Sequence, residues 1–181
     1  MRRLFSIVFT LLLFFLANAQ TSPKPVDSET DTRGYIVKIG QMAPNFTLTL
    51  TNGQTLGLWS LRGKVVMLQF TASWCGVCRK EMPFIERDIW QRWKFNPAFA
   101  LYAIDRDEPL DVAKNFILST GITYPVALDP GAAHFQLYAE KEAGVTRNVI
   151  IDKEGRVAFL TRLYNETEFK TMVSKIEELL K

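Results

Sequence analysis

Val65-Val66-Met67-Leu68-Gln69-Phe70-Thr71-Ala72-Ser73-Trp74-Cys75-Gly76-Val77-Cys78-Arg79-Lys80-Glu81-Met82-Pro83 is the stretch on which the reading of the fold turns. Residues 65–70 are apolar apart from Gln69 and follow Gly63-Lys64, so they read as a central strand buried on both faces. A helix is predicted over about 75–95, with Pro83 inside it; proline removes a backbone donor and should kink that helix. Cys75 and Cys78 therefore stand between a buried strand and a helix start. A helix N-terminus carries partial positive charge and unpaired N–H groups. Both favour a thiolate over a thiol, which marks Cys75 as the candidate nucleophile. Cys78, three residues on, lies one turn later on the same face and is the candidate resolving thiol. Gly76 and Val77 between them bear on thiol ionisation and on the redox potential. Arg79 and Lys80 either add positive charge near the thiols or form a solvated helix face.

Outward from this stretch, strands and helices alternate. Residues 46–50 and 55–58 flank the turn signal Thr51-Asn52-Gly53-Gln54 and read as a hairpin. Residues 99–104 form a second buried strand. Pro109 opens a helix over 110–119, and Gly121 ends it. A short strand over 124–128, a short helix over 132–140 and a strand–turn–strand over 148–161 follow. Asn165 then opens the last helix, with Glu168 as its capping partner. Phe169, Met172, Val173, Ile176, Leu179 and Leu180 give that helix one apolar face. The order predicts an α/β fold with a mixed central sheet covered on both faces.

The chain of 181 residues suits one domain plus a removable or flexible end. The first twenty residues have the form of a secretory signal. Arg2 and Arg3 supply the positive start, and residues 4–16 are apolar apart from Ser6 and Thr10. Ala17-Asn18-Ala19 then gives the small–x–small pattern of a cleavage site, leaving Gln20 as the new N-terminus. The expected organisation is a signal peptide over 1–19, a flexible Pro-, Ser- and Thr-rich linker over 20–34, and one domain over 35–181. The chain is expected to be exported to the periplasm or cell envelope. It would engage the membrane only if the N-terminal segment stays uncleaved. Formal net charge is +3, and two of those charges sit in the leader, so the domain is near neutral. That balance excludes a nucleic-acid partner.

The chain has two cysteines and one histidine, His134. A structural disulfide framework would need more, widely spaced cysteines. A closed zinc site needs two further ligands that this chain would have to borrow from carboxylates. In an exported protein a lone C-x-x-C makes sense as working redox chemistry. His134 reads as an ordinary histidine.

Phe70 to Pro83 as quoted resembles the active-site signature of the TlpA/ResA group of exported thioredoxin-like proteins. Gly40-Gln41-Met42-Ala43-Pro44-Asn45-Phe46-Thr47-Leu48, Gly63-Lys64-Val65-Val66, Tyr124-Pro125-Val126 and Ile150-Ile151-Asp152-Lys153-Glu154-Gly155 are similar to that group as well. The resemblance spans about residues 39–180. It implies a thioredoxin fold with an N-terminal β-hairpin extension and a central insertion. It also implies reduction of client-protein disulfides in envelope assembly, protein thiols or disulfides as partners, a membrane electron donor, and no cofactor. Two residues depart from the pattern. Thr146 stands where the group has a substrate-docking proline, normally cis. A cis bond before a non-proline residue costs ~3–4 kcal/mol, so the bond before Thr146 is either trans or held cis at that cost. Gln69 stands where thioredoxin has a buried acid, and it cannot act as a base near neutral pH. Glu81 becomes the candidate proton acceptor for Cys78. Trp74 is expected to pack over the cysteines. With Gly76, Val77, Thr146 and Arg147 it completes the expected docking surround, in which Arg147 either reaches the thiolate or lies at the surface.

Three other functions compete. A peroxiredoxin-like peroxidase shares the Ala43-Pro44-Asn45-Phe46 opening, but its signature needs a Thr three residues before the reactive Cys. Position 72 is Ala, and Thr71 lies one residue too far. A copper or haem carrier could use the two soft thiolates, with Met67 and Met82 near in sequence. A binding domain on a thioredoxin fold is kept open by Thr146.

Overall fold

The computed structural model describes residues 33–181. The expected signal peptide over 1–19, and the linker up to residue 32, lie outside the described residues. Seven strands form one sheet in the order β2-β1-β5-β4-β3-β6-β7. They are β1 (Thr47–Leu50), β2 (Thr55–Gly57), β3 (Val65–Thr71), β4 (Phe99–Arg106), β5 (Val126–Asp129), β6 (Arg147–Ile151) and β7 (Val157–Arg162). β3, β4 and β5 run parallel, whereas β6 pairs antiparallel with β3 and β7 with β6 on one side, and β1 pairs antiparallel with β5 and β2 with β1 on the other. The helices are α1 (Gly76–Ile85), α2 (Gln91–Trp93), α3 (Leu110–Thr120) and α4 (Glu166–Leu180). This is the expected mixed sheet with helices over it.

Every residue of β3 is buried, because the strand has a neighbour on each side and a core on each face. Alternation sorts its side chains. Val66, Leu68 and Phe70 pack with Phe135 and Tyr138. Val65 and Met67 face Met82, Ile85 and Ile89, with Phe169, Met172 and Ile176 of α4 in the same cluster. Met67 is thus a core residue. The N-terminal hairpin extends the sheet edge through β5 and turns at Gly53, whose φ of 88° suits glycine.

The long helix expected over 75–95 is more irregular than its pattern indicates. Pro83 sits within α1. The departure falls just after it as a π-helical turn over Glu86–Trp90, before α2. Proline offers no N–H to the turn before it, and the ladder widens where Gln91 N–H donates to the Glu86 carbonyl. The short helix expected over 132–140 is instead two 3-10 turns, Pro130–Ala132 and Phe135–Leu137. Left-handed Gly131 breaks the path, and the Asp129 carboxylate accepts from His134 N–H at 2.7 Å and Phe135 N–H at 2.9 Å. Asn165 caps α4, accepting from Glu168 N–H at 3.0 Å. The Glu168 carboxylate pairs with Arg33 at 2.6 Å. Pro109 and Gly121 flank α3 as expected.

Candidate active site

Cys75 is the N-cap of α1, in extended backbone with φ −87° and ψ 100°. Its Sγ accepts from the Cys78 N–H at 3.2 Å, one of the donors a helix start leaves without a partner. The two cysteines are joined in a disulfide. Cys75 is 8% exposed and Cys78 fully buried, so Cys75 is the more accessible of the two.

The loop leading into the pair is tied on two sides. The Glu108 carboxylate accepts from Ser73 N–H and Ser73 Oγ–H, both at 2.6 Å. Arg79 donates through Nε to the Ser73 carbonyl at 2.8 Å and through Nη1 to Ser119 Oγ at 3.0 Å. Lys80 lies over the Tyr164 ring, 5.6 Å from its centre. Beneath Glu108 is a second carboxyl that the sequence reading did not single out. Asp105, the penultimate residue of β4, lies beside Thr71 in register and is fully buried. Burial, then the hydrogen bond and charge of Glu108, push its pKa up to about 8. Asp105 therefore holds its own proton near neutral pH. An acid at the end of the apolar run 99–104 was the available signal.

β6 lies antiparallel to β3 and brings its N-terminal end to the cysteines. Thr146, just before β6, is buried, and its Oγ1 lies 3.1 Å from Cys75 Sγ and 3.2 Å from Cys78 Sγ. No peptide bond among the described residues is cis, so the bond before Thr146 is trans. Arg147, expected either at the thiolate or at the surface, is buried. Its guanidinium donates to the Arg33 carbonyl at 2.7 Å and stacks over Tyr35 at 4.6 Å.

Glu81 is buried against the sheet. It follows Cys78 by three residues on the same helix face. Asn148 of β6 donates to its Oε1 at 2.8 Å, and the Gln69 amide of β3 also favours its charged form. Burial outweighs both amides and raises its pKa from 4.5 to about 7. Gln69, the residue in place of an acid, accepts from Tyr124 O–H at 2.8 Å. Asn148 escaped the sequence reading because it is one polar residue in an apolar strand.

Trp74 is 65% exposed and so buries little of its ring against the protein, and Val77 is exposed as well. An added side-chain carbon at Gly76 would meet open space. Trp74, Arg106, Asp107, Glu142, Ala143 and Gly144 line a cleft of about 440 Å3. His134 stacks on Phe46, with ring centres 4.4 Å apart. Among the described residues no group of three or more His, Cys, Asp or Glu could hold a metal ion, and no helix is long and apolar enough to cross a membrane.

The chain is similar to known proteins over most of its length. It is 35% identical over 121 residues to the thiol-disulfide oxidoreductase ResA of Bacillus thuringiensis, covering 67% of this chain and 68% of that protein. With ResA of Bacillus subtilis it is 29% identical over 180 residues, covering 99% and 94%. The solution structure of a putative protein disulfide isomerase from Bacteroides thetaiotaomicron matches with a TM-score of 0.79 at 65% identity, over 81% of this chain and 92% of that one. These likenesses bear out the TlpA/ResA resemblance and the thioredoxin fold. The Redoxin family model matches residues 38–180, so the chain belongs to the Redoxin family.

Proposed function

We propose that this chain is an exported thiol–disulfide oxidoreductase that reduces disulfides of client proteins. One observation carries the reading: a dithiol pair, oxidised here, whose more exposed sulfur caps a helix and accepts its N–H. That placement stabilises negative charge on Cys75 once the pair is reduced. The Cys75 thiolate attacks one sulfur of a client disulfide. A mixed disulfide forms and the client's other sulfur leaves as a thiolate, taking a proton from water. Cys78 then loses its proton to Glu81 and attacks the Cys75 sulfur, and the second client sulfur departs. The client gains two electrons and the Cys75–Cys78 disulfide returns.

Glu81 suits the middle step because its raised pKa of about 7 lies near neutral pH, where a base is most effective. The cleft lined by Trp74, the residue before Cys75, gives a client segment somewhere to lie. Export is supported by Arg2, Arg3, the apolar residues 4–16 and Ala17-Asn18-Ala19. In an oxidising compartment a reductant needs electrons from across the membrane, so a membrane donor belongs to the proposal.

The test is the reduction potential of the mature protein, equilibrated against glutathione or dithiothreitol. A value near about −270 mV, as in thioredoxin, supports the reductase direction. A value toward about −120 mV would make the chain a disulfide donor and overturn that direction. A pair that does not cycle reversibly overturns the exchange reading itself.

A further inference from the structure

Thr146 Oγ1 sits between the two sulfurs, 3.1 Å from Cys75 and 3.2 Å from Cys78. Neither disulfide sulfur carries a proton, so the hydroxyl is the donor and the sulfurs accept. The residue is 3% exposed, and its carbonyl accepts from Leu163 N–H at 3.0 Å, which fixes its backbone to the start of the β6–β7 ladder. The hydroxyl is thus aimed at the reacting atoms from the sheet side, opposite the helix N–H that Cys75 also receives. A thiolate is a much stronger acceptor than a neutral sulfur, so this bond strengthens when the pair is reduced.

We infer that Thr146 is a positioning residue whose one hydroxyl stabilises whichever sulfur carries the negative charge, Cys75 before attack and Cys78 after it. The inference rests on the reading of Cys75 as nucleophile and Cys78 as resolving thiol. In the free reduced protein the Cys75 thiolate accepts from both Cys78 N–H and Thr146 O–H. When it bonds to the client sulfur and the client disulfide breaks, the charge leaves with the client and Cys75 becomes neutral. The hydroxyl proton then needs only to rotate about the Cβ–Oγ bond to point at Cys78. Once Glu81 has taken the Cys78 proton, the new thiolate is held while it attacks Cys75 and expels the client's second sulfur. Both sulfurs of the oxidised pair lie within reach of that one hydroxyl, so turning its O–H serves either.

Thr146→Val keeps the shape and removes the donor, and Thr146→Ser keeps the donor. Cys75 is titrated in the reduced mature protein by its pH-dependent alkylation with iodoacetamide and by thiolate absorbance, and the potential is measured against glutathione. The other ionisable groups around the pair are Cys78, Arg79 and Glu81 on α1, Arg147 on β6, and Asp105 with Glu108 behind Ser73. All are unchanged in these variants. Thr146→Val should raise the Cys75 pKa by about one unit, a tenfold loss of thiolate, as expected for one charge-assisted hydrogen bond. Its potential should fall by about 30 mV, the same tenfold read in the two-electron couple. Thr146→Ser should stay close to wild type in both. If Thr146→Val does not fold, Thr146→Ala removes the same donor and takes its place. A donor-free variant that titrates like wild type, or a serine variant that shifts as far as valine, overturns the inference. Titration needs no turnover. A wild-type protein that fails to reduce disulfides while the valine shift persists would defeat the functional reading alone, and the reverse pattern would defeat this one alone.

Discussion

At Glu81 the fold withholds water from a carboxyl and offers two amides in return. Burial raises its pKa from 4.5 to about 7, against the Asn148 hydrogen bond and the Gln69 amide, which lower it. The folded carboxyl thus binds its proton more tightly than the unfolded one. Its contribution to stability is complete below about pH 4.5 and is lost as pH rises through about 7. Glu81→Gln removes that dependence while its side-chain oxygen can still accept from Asn148. Urea unfolding should show the variant more stable than wild type at pH 8 by about 1–3 kcal/mol, with the gap closing by pH 5. The same variant should resolve its mixed disulfide about 10²-fold more slowly at pH 7, the ordinary loss of a general base. Rapid quenching and counting of trapped Cys75–client adduct would read that step. Cys75, Cys78 and Glu81 were legible because they recur at three-residue steps along one stretch of chain. That Glu81 is buried was not, since Gln69 and Asn148 come from two different strands. Thr146 meets Cys75 across 71 residues of chain, and no local pattern encodes such a contact.

Among the elements, those whose ends carry side-chain chemistry were readable, and those shaped by tertiary contacts were not. Asn165 announces α4 and does cap it. Asn165→Ala leaves Glu168 N–H without that acceptor and should cost about 1 kcal/mol in thermal or urea unfolding. Thr167→Ala, in the exposed first turn, is the control and should stay within about 0.5 kcal/mol. Asn165→Asp should preserve the cap, because its carboxylate accepts the same N–H and favours a helix N-terminus. By contrast, the 3-10 turns over 130–137 follow from the buried Asp129, which gathers two backbone N–H groups on itself. Apolar spacing alone reads that segment as a helix.

The whole molecule decides what no element does alone, namely which residues surround the sulfurs. The strand sequence, with its alternating helices, predicts a mixed sheet but not the neighbours of β3. Placing β6 antiparallel beside β3 delivers Thr146 to the cysteines from one side. Placing β4 parallel on the other side delivers Asp105 and, through the loop after it, Glu108 to Ser73. The two flanks hold the disulfide at a sheet end, and the cleft of about 440 Å3 opens between Trp74 and residues 142–144. Trp74 leans on little of its own protein, being 65% exposed. Trp74, next to Cys75, leaves an apolar ring exposed that a bound client would cover. A client segment in the cleft would bury that ring, worth about 1–2 kcal/mol. Trp74→Ala should therefore lower kcat/KM for a protein disulfide about tenfold or more. It should leave the rate with a small disulfide such as oxidised glutathione within about twofold, because the thiolate and its donors at Cys78 and Thr146 are untouched. Equal losses on both substrates would mean that Trp74 acts through the sulfurs rather than through the client, and would remove the cleft from the account of docking.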